Sequence, residues 1–213
     1  KRIGKIAYDA SIPVHTVWDL GIGNAMAIGF YQVIGREIRK IDYYENTGEG
    51  LPHYIKLLQQ KNYVYGKHFA PHDIQVRELS SGKSRLEIAK SLGINFEVVP
   101  NLPIEDGINA ARLMFNRVWI DEERCKFWLD AISQYQYEWD EKRGMFKLSP
   151  FHNWTSNGAD EFRYAAIIEN LMSNEKMAEE PKYEFETISE YEPDYSDEKE
   201  RNSLLEGVDL GKM

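Results

Sequence analysis

The sequence predicts an α/β domain built on a mixed sheet of five or more strands, in the order 3-2-1-4-5, with helices on its faces. Two observations lead to this fold class. Three extended runs follow each other near the N-terminus with connections too short for crossovers, which predicts an antiparallel meander. Strand-like and helix-like segments then alternate, which predicts parallel strands joined by right-handed crossovers. Strand 1 is therefore expected at the centre of the sheet.

The three strands of the meander are apolar runs separated by turn residues. Residues 14–20 are rich in β-branched and aromatic side chains, and a glycine-containing turn follows at 21–24. Residues 25–33 form a second apolar run. Residues 37–44 alternate polar and apolar side chains, as a half-buried strand does. These runs are strands 1, 2 and 3.

The rest of the chain supplies helices, two further sheet strands and a hairpin. Apolar residues at helical spacing predict helices over 51–62, 84–92, 104–116, 122–135 and 158–172. Extended runs predict strand 4 over 66–71, strand 5 over 95–99, a short extended piece at 118–120 and an auxiliary β-hairpin over 137–148.

The composition is that of a folded protein in a reducing compartment. Hydrophobic residues make up 42% of the chain and aromatic residues 13%, which excludes a disordered chain. No apolar run is long enough to cross a membrane, so we expect no membrane association. Cys125 is the only cysteine, which excludes a disulfide framework. The chain begins at Lys1 without an initiating Met, and we expect it to be part of a longer protein.

The negative charge is concentrated at the C-terminus. The formal net charge is -9, and residues 173–213 hold 13 acidic against 5 basic side chains. We therefore expect a folded domain over 1–172 that is nearly neutral, followed by an acidic, flexible tail over 173–213. A nearly neutral domain can still present a basic surface to phosphates, so the overall charge does not exclude a nucleic-acid partner.

Three acidic side chains are the candidate catalytic and metal-binding residues. Asp19 lies near the end of the central strand, and Asp73 follows strand 4, which should pair with strand 1. Ligands bind at the carboxyl ends of such strands, so we expect the two carboxylates to be neighbours. Asp160 lies at the start of the last helix, and spacing does not decide between it and Glu161. Each acid could instead serve only as a turn or helix cap.

Carboxylates that converge on one site repel each other unless cations bridge them. Carboxylate oxygens are hard ligands that favour Mg²⁺ or Mn²⁺, and a pair of such ions suits in-line phosphodiester hydrolysis. We therefore expect Asp19, Asp73 and Asp160 to hold two divalent cations. His72 and His152 are auxiliary candidates because each lies close in sequence to an expected ligand or to its helix.

Basic residues near these acids are candidates for contacts with a DNA backbone. Three lie in a loop near Asp73 and three lie at or near the tip of the predicted hairpin. The loop residues are Arg77, Lys83 and Arg85, and the hairpin residues are Lys142, Arg143 and Lys147. Solvated charged loops are the alternative. The Gly82-Lys83-Ser84 run does not complete a phosphate-binding loop, because Arg77 stands where that motif has glycine.

Four sequence blocks, taken in order, resemble the nuclease domain of the large terminase subunit of tailed bacteriophages. They are TVWDLG at 16–21, PHDI at 71–74, SGKSR at 81–85 and SNGADEFRY at 156–164. The resemblance implies an RNase H-like fold and two-metal cleavage of concatemeric double-stranded DNA. It assigns the three ligand positions to Asp19, Asp73 and Asp160. Asn157 and Glu161 depart from the family pattern in the last block, and Gly23-Asn24 stands where many members carry another acid.

The resemblance also implies partners and a location. Large terminases carry an ATPase domain in the same full-length protein and act with a portal and a small terminase subunit, in the cytoplasm of the infected bacterial host. Two other functions remain open from the sequence. One is another RNase H-like nuclease of the resolvase or transposase type, and the other is a non-catalytic docking or regulatory module of the packaging motor.

Overall fold

The computed structural model of the protein describes residues 2–21, 25–77 and 82–172. The acidic tail expected over 173–213 and the Gly23-Asn24 turn lie outside the described residues. Within the described part of the chain, no helix is long and apolar enough to cross a membrane.

Seven strands form the main sheet, and the predicted strand order is confirmed. The strands are β1 (Ile3–Gly4), β2 (Val14–Asp19), β3 (Met26–Ile34), β4 (Glu37–Asn46), β5 (Tyr65–Ala70), β6 (Phe96–Val98) and β7 (Val118–Asp121). Their order is β1-β7-β4-β3-β2-β5-β6. The predicted strands 1, 2, 3, 4 and 5 correspond to β2, β3, β4, β5 and β6. The predicted order 3-2-1-4-5 is therefore β4-β3-β2-β5-β6, which forms the centre and one edge of this sheet.

The other edge extends beyond the prediction. The short extended piece at 118–120 is β7, which pairs in parallel with β4, and β1 pairs in parallel with β7. The register joins Ile38 to Val118 and Ile3 to Ile120. β1 spans two residues and has no clear signal in the sequence, whereas the extended run that predicts β7 is too short to indicate its partners in the sheet.

The register of the central strands sets the positions of the acidic candidates. β2 and β3 are antiparallel and pair Asp19 with Ala27, and β3 and β4 pair Ala27 with Glu45. β5 runs parallel to β2 and pairs Phe69 with Val17. Because β2 and β5 run in the same direction, the residues that follow each strand emerge at the same edge of the sheet.

Five helices cover the sheet. They are α1 (Leu51–Gln60), α2 (Arg85–Ser91), α3 (Ile104–Met114), α4 (Lys126–Ile132) and α5 (Ser156–Ile167). Two 3-10 helices lie at His72–Gln75 and Glu169–Leu171. α4 begins later than the predicted 122–135, because the Asp121 side chain accepts the backbone amides of Glu123 and Arg124 and holds them in a turn.

Two hydrophobic cores lie on opposite faces of the sheet. α3, α4 and α5 pack on one face, where Trp128 and Phe162 are buried. α1 and α2 contribute to the core on the other face, which contains Trp18, Tyr54 and Leu58. Each of these side chains contributes about 1.5–3 kcal/mol by its removal from water. Both faces of β2 are thus covered, and Asp19 lies at the point where this cover ends.

The predicted hairpin is present and forms a separate two-stranded sheet. It consists of β8 (Tyr137–Asp140) and β9 (Met145–Pro150), which pair antiparallel. Gly144 closes the turn at a φ of 60°, a conformation that favours glycine. The Asp140 side chain accepts the backbone amides of Lys142 and Arg143, which fixes the connection.

A hydrogen-bonded chain joins β2 to β5 beneath the acidic candidates. Trp18 Nε1 donates to Thr16 Oγ1 at 2.8 Å, and Thr16 Oγ1 is hydrogen-bonded to His68 Nδ1 at 2.7 Å. Burial, together with the nearby His15, lowers the pKa of His68 to about 4.

We expect His68 to make the protein sensitive to acid. In the unfolded chain a histidine takes up its proton near pH 6.5, whereas folded His68 does so only near pH 4. The unfolded state then binds more protons between these values, so stability falls as the pH drops from 6.5 to 4. Urea unfolding across this range should show a smaller loss for His68→Gln than for the wild type. An equal loss in both would contradict this role.

Candidate active site

Asp19 is the last residue of β2 and is influenced electrostatically by the other two acidic candidates. Burial raises the pKa of its carboxyl well above the usual value, and the carboxylates of Asp160 and Asp73 raise it further. Arg163 opposes this shift in part. Electrostatic coupling of this kind requires the groups to be close. The structure therefore brings the three predicted carboxylates to one region at the carboxyl end of β2.

Asp73 lies in the 3-10 helix that follows β5. The buried side chain of Ile74 anchors this turn, and Ile74 N donates to Pro71 O at 3.1 Å. Asp73 Oδ1 is buried, and the described residues offer it no hydrogen-bond partner. Burial raises the pKa of Asp73, against the opposing charges of His72 and Arg85. A buried carboxylate oxygen without a partner is costly and marks a position for a ligand.

Asp160 projects from the first half of α5. Arg163, one helical turn later, donates to Asp160 Oδ1 through Nε at 3.1 Å and through its terminal nitrogen at 3.0 Å. The Asp160 side chain keeps 26% of its surface exposed. Arg163 thus orients this carboxylate while part of it remains open to the site.

These three carboxylates are a donor set that fits hard divalent cations. Burial, together with the neighbouring acids, disfavours the anionic form of Asp19. Asp73 Oδ1 is buried and has no hydrogen-bond partner among the described residues. A bound cation would offset both costs. The carboxylates suit such a cation by their chemistry. Among the described residues, no group of three or more His, Cys, Asp or Glu side chains is already spaced to hold an ion.

Glu161, the alternative to Asp160, is held in the core. Its side chain is fully buried, and Lys40 Nζ lies 2.5 Å from Glu161 Oε2. Tyr31 donates to Glu161 Oε1 at 2.6 Å. Both carboxylate oxygens are therefore engaged within the core. The two acids therefore differ in environment, because Glu161 is engaged in the core whereas the Asp160 side chain keeps part of its surface exposed. The choice of Asp160 as the ligand stays a prediction.

Lys40 is a buried cation surrounded by aromatic rings. Its side chain has no exposed surface, and its ammonium lies 4.6–5.1 Å from the ring centroids of Tyr31, Trp128 and Tyr43. Aromatic faces attract a desolvated cation. No sequence pattern predicts this arrangement, because Lys40 occupies an ordinary place in an alternating strand.

A second polar contact fixes the start of α5. Asn157 donates to Glu45 Oε1 at 2.9 Å, and the Tyr43 hydroxyl donates to Glu45 Oε2 at 2.5 Å. Glu45 belongs to the same cross-strand row as Asp19, with Ala27 between them. Sequence reasoning missed Glu45, because only the strand register places it beside the last helix.

The histidine candidates lie at the margin of this region. His72 is exposed and contributes its charge to the field at Asp73. His152 is also exposed, and its Nδ1 is hydrogen-bonded to Ser156 Oγ at 2.9 Å, at the first residue of α5. Neither position is buried among the three carboxylates.

The basic loop candidates lie beside Asp73. Arg77 and Lys83 are exposed, and Arg85 is the first residue of α2. Ser84 caps this helix, because its side chain accepts from Glu87 N at 3.1 Å while Glu87 accepts from Ser84 N at 2.7 Å. The Gly82-Lys83-Ser84 run thus has a structural role as a helix start.

The hairpin cations are partly engaged by acids of the same hairpin. Lys147 lies 2.5 Å from Glu138, and Arg143 lies 3.8 Å from Asp140. Lys142, Arg143 and Lys147 are all exposed. The structure therefore leaves them accessible to a partner but reduces the charge that they offer.

Gly29 allows α5 to lie close against β3. A Cβ atom at this position would stand 1.9 Å from Glu161 Oε1 and 2.7 Å from Lys40 Nζ. Neither side chain can move away without breaking the buried ion pair. We therefore expect Gly29→Ala to destabilise the protein by about 1–3 kcal/mol, as overpacking does.

Chemical denaturation of Gly29→Ala beside Gly4→Ala would check this expectation. A Cβ at Gly4 meets nothing within 4 Å, so Gly4→Ala should remain close to the wild type. Equal stability of the two variants would show that α5 can shift away from β3 at little cost.

The antiparallel meander, the parallel strands beside it and the final helix against the central strands together define the RNase H-like fold. More particularly, this is the fold of large-terminase nuclease domains. No family model and no curated protein matches the sequence. The similarity is found among solved structures.

Three of these structures are similar over most of this chain. A large terminase from a thermophilic bacteriophage has 18% identity and a TM-score of 0.59, covering 80% of this chain and 43% of that protein. The nuclease domain of the SPP1 large terminase with bound Mn has 18% identity and a TM-score of 0.58, and the match covers 79% of this chain and 94% of that domain. The G20c large-terminase nuclease with bound magnesium has 14% identity and a TM-score of 0.52, covering 75% and 82%. This chain thus spans less than half of the first of these proteins.

Proposed function

We propose that this chain is the metal-dependent endonuclease of a phage DNA-packaging terminase and cuts concatemeric double-stranded DNA. The observation that carries this proposal is the coupling of Asp19 to Asp73 and Asp160 at the carboxyl end of the central strand. The fold shared with terminase nuclease domains, one solved with Mn and one with magnesium, supports the same function.

In this proposal Asp19, Asp73 and Asp160 hold two divalent cations, Mg²⁺ or Mn²⁺. When bound, such cations supply the Lewis acidity that in-line hydrolysis of a phosphodiester requires. The side chains of this chain do the positioning. Arg163 orients Asp160, the buried Ile74 holds the turn that presents Asp73, and β2 fixes the position of Asp19.

The DNA backbone would be contacted at the edges of this region. Arg77, Lys83 and Arg85 lie on the side of Asp73, and Lys142, Arg143 and Lys147 lie on the hairpin. Phosphate contacts of this kind position a duplex without reading its sequence. The other proposed partners are an ATPase domain of the same full-length protein, a portal and a small terminase subunit, in the cytoplasm of the infected host.

Incubation of the full chain with supercoiled plasmid in Mn²⁺, Mg²⁺ or EDTA tests the proposal. The wild type and Asp130→Asn should nick and linearise the plasmid in Mn²⁺ or Mg²⁺, whereas EDTA and Asp73→Asn should prevent cutting. Asp130 is the matched control, because it is an exposed acid paired with Lys126 on α4. Absence of cutting in every metal, together with absence of cation binding by calorimetry, would favour the docking-module function instead.

A further inference from the structure

The β8–β9 hairpin carries a pair of large aromatic side chains exposed to solvent. Trp139 and Phe146 are cross-strand partners and are 51% and 56% exposed. Their ring centroids are 5.0 Å apart at an interplanar angle of 77°. This edge-to-face arrangement holds the two rings together and leaves flat ring surface uncovered. A large, ordered aromatic surface in water marks a binding site.

The two faces of the hairpin differ in chemistry. Trp139 and Phe146 share one face, while the Glu138–Lys147 ion pair belongs to the other face, because side chains alternate along a strand. Residues 137–150 contain three acids and three bases, so the hairpin has no net charge. Attraction to phosphates therefore cannot be the main contribution of this element. The aromatic face is the feature that distinguishes this hairpin from an ordinary charged one.

The hairpin starts beside the candidate active site. Tyr135, Tyr137 and Pro150 line a cavity of about 230 Å³ together with Ala159 and Arg163 of α5. Burial and the carboxylate of Asp160 both raise the pKa of Tyr135, which places the base of the hairpin near that acid. Trp139 lies two residues beyond Tyr137, roughly 7 Å along the strand. The ring pair thus belongs to an element whose base lies near Asp160.

We propose that Trp139 and Phe146 form a stacking surface for unpaired bases of the DNA strand that lies in the active site. This inference rests on the proposed function. A base offers a flat apolar surface beside a phosphate, and the hairpin offers exposed rings beside Lys142 and Arg143 at its tip. Aromatic rings stack on bases regardless of sequence.

Binding of a labelled 20-nucleotide poly-dT strand to the full chain in EDTA, measured by fluorescence anisotropy, tests this assignment without any cutting. We expect Trp139→Ala to weaken binding about 5- to 150-fold, the loss typical of one stacked base. Trp139→Phe should retain most of the affinity, since it keeps an aromatic ring. Leu113→Ala is the control, because Leu113 is a highly exposed apolar residue on α3.

The dependence on salt separates stacking from phosphate contacts. Trp139→Ala should leave the slope of affinity against salt concentration unchanged, whereas Lys142→Ala should reduce it. Equal binding by Trp139→Ala and Leu113→Ala would overturn the inference. A change in oligomeric state on gel filtration with Trp139→Ala would also overturn it and assign the face to a second copy of the chain.

The experiments distinguish a failure of the stacking surface from a failure of the nuclease proposal. If the wild type cuts plasmid but Trp139→Ala binds the strand normally, the stacking surface is wrong and the nuclease function stands. If Trp139 is required for strand binding but no metal supports cutting, the stacking surface stands and the nuclease function is wrong.

Discussion

Asp19→Asn is expected to abolish metal-dependent cutting and, in EDTA, to make the protein more stable. Asp19 is partly buried near two other acids, so without a cation its negative charge is unfavourable in the folded state. Asparagine has the same shape and no charge. We expect cutting to fall at least about 100-fold and the free energy of unfolding to rise by about 1 kcal/mol or more, which corresponds to about 2–4 °C in melting temperature.

The pH dependence of the stability change has a definite sign. The pKa of Asp19 is higher in the folded than in the unfolded state, so the folded state binds more protons above pH 4. The wild type in EDTA should therefore lose stability relative to Asp19→Asn as the pH rises above 4, until Asp19 is fully ionised. Added Mn²⁺ should stabilise the wild type more than the variant. Thermal melts with and without Mn²⁺ measure both effects, and a less stable Asp19→Asn in EDTA would contradict them.

Lys40→Met is expected to cost about 3–5 kcal/mol of stability, because it leaves the buried carboxylate of Glu161 without its cation. Burial already raises the pKa of Glu161, and Lys40 opposes that shift. Without the ammonium, the buried carboxylate of Glu161 is harder to ionise in the folded state. The loss of stability in Lys40→Met should therefore increase as the pH rises. Urea unfolding at two pH values would measure this change.

The double variant Lys40→Met/Glu161→Leu distinguishes the cost of an unpaired buried charge from the cost of losing the whole ion pair. Replacing both partners by apolar residues removes the stranded charge, so much of the lost stability should return. Lys67→Met is the matched control, since Lys67 pairs with Glu97 at the surface and should cost no more than about 1 kcal/mol. A double variant as unstable as Lys40→Met would mean that packing, and not charge, is responsible.

The fold could be predicted from the sequence because its central elements have strong local patterns. The meander of β2, β3 and β4 has long apolar or alternating strands, and the alternation of strand and helix after it gives the parallel strands. The weak elements are those stabilised by contacts distant in sequence. β1 has two residues, and its pairing with β7 depends on a part of the chain more than a hundred residues later, where Ile3 meets Ile120.

The candidate site was only partly predictable, for a similar reason. Asp19, Asp73 and Asp160 follow from strand ends and from the start of a helix, and their roles as cation ligands remain predictions. Glu45 could not be found, because its contact with Asn157 depends on the register of three strands. Nor does the sequence reveal that Trp139 and Phe146 are exposed, since alternation predicts a shared face but not whether that face is covered.

The pairing of β1 with β7 determines when the main sheet can be completed during synthesis on the ribosome. Ile3 has no sheet partner until Ile120 has been made and released from the exit tunnel. The meander can form long before that point, since its three strands lie within the first 46 residues. Asp160 arrives later still, on a helix that packs against β2 and β3. A nascent chain thus carries Asp19 and Asp73 without their third acid, and any chain that terminates before residue 160 is released without a complete acidic site.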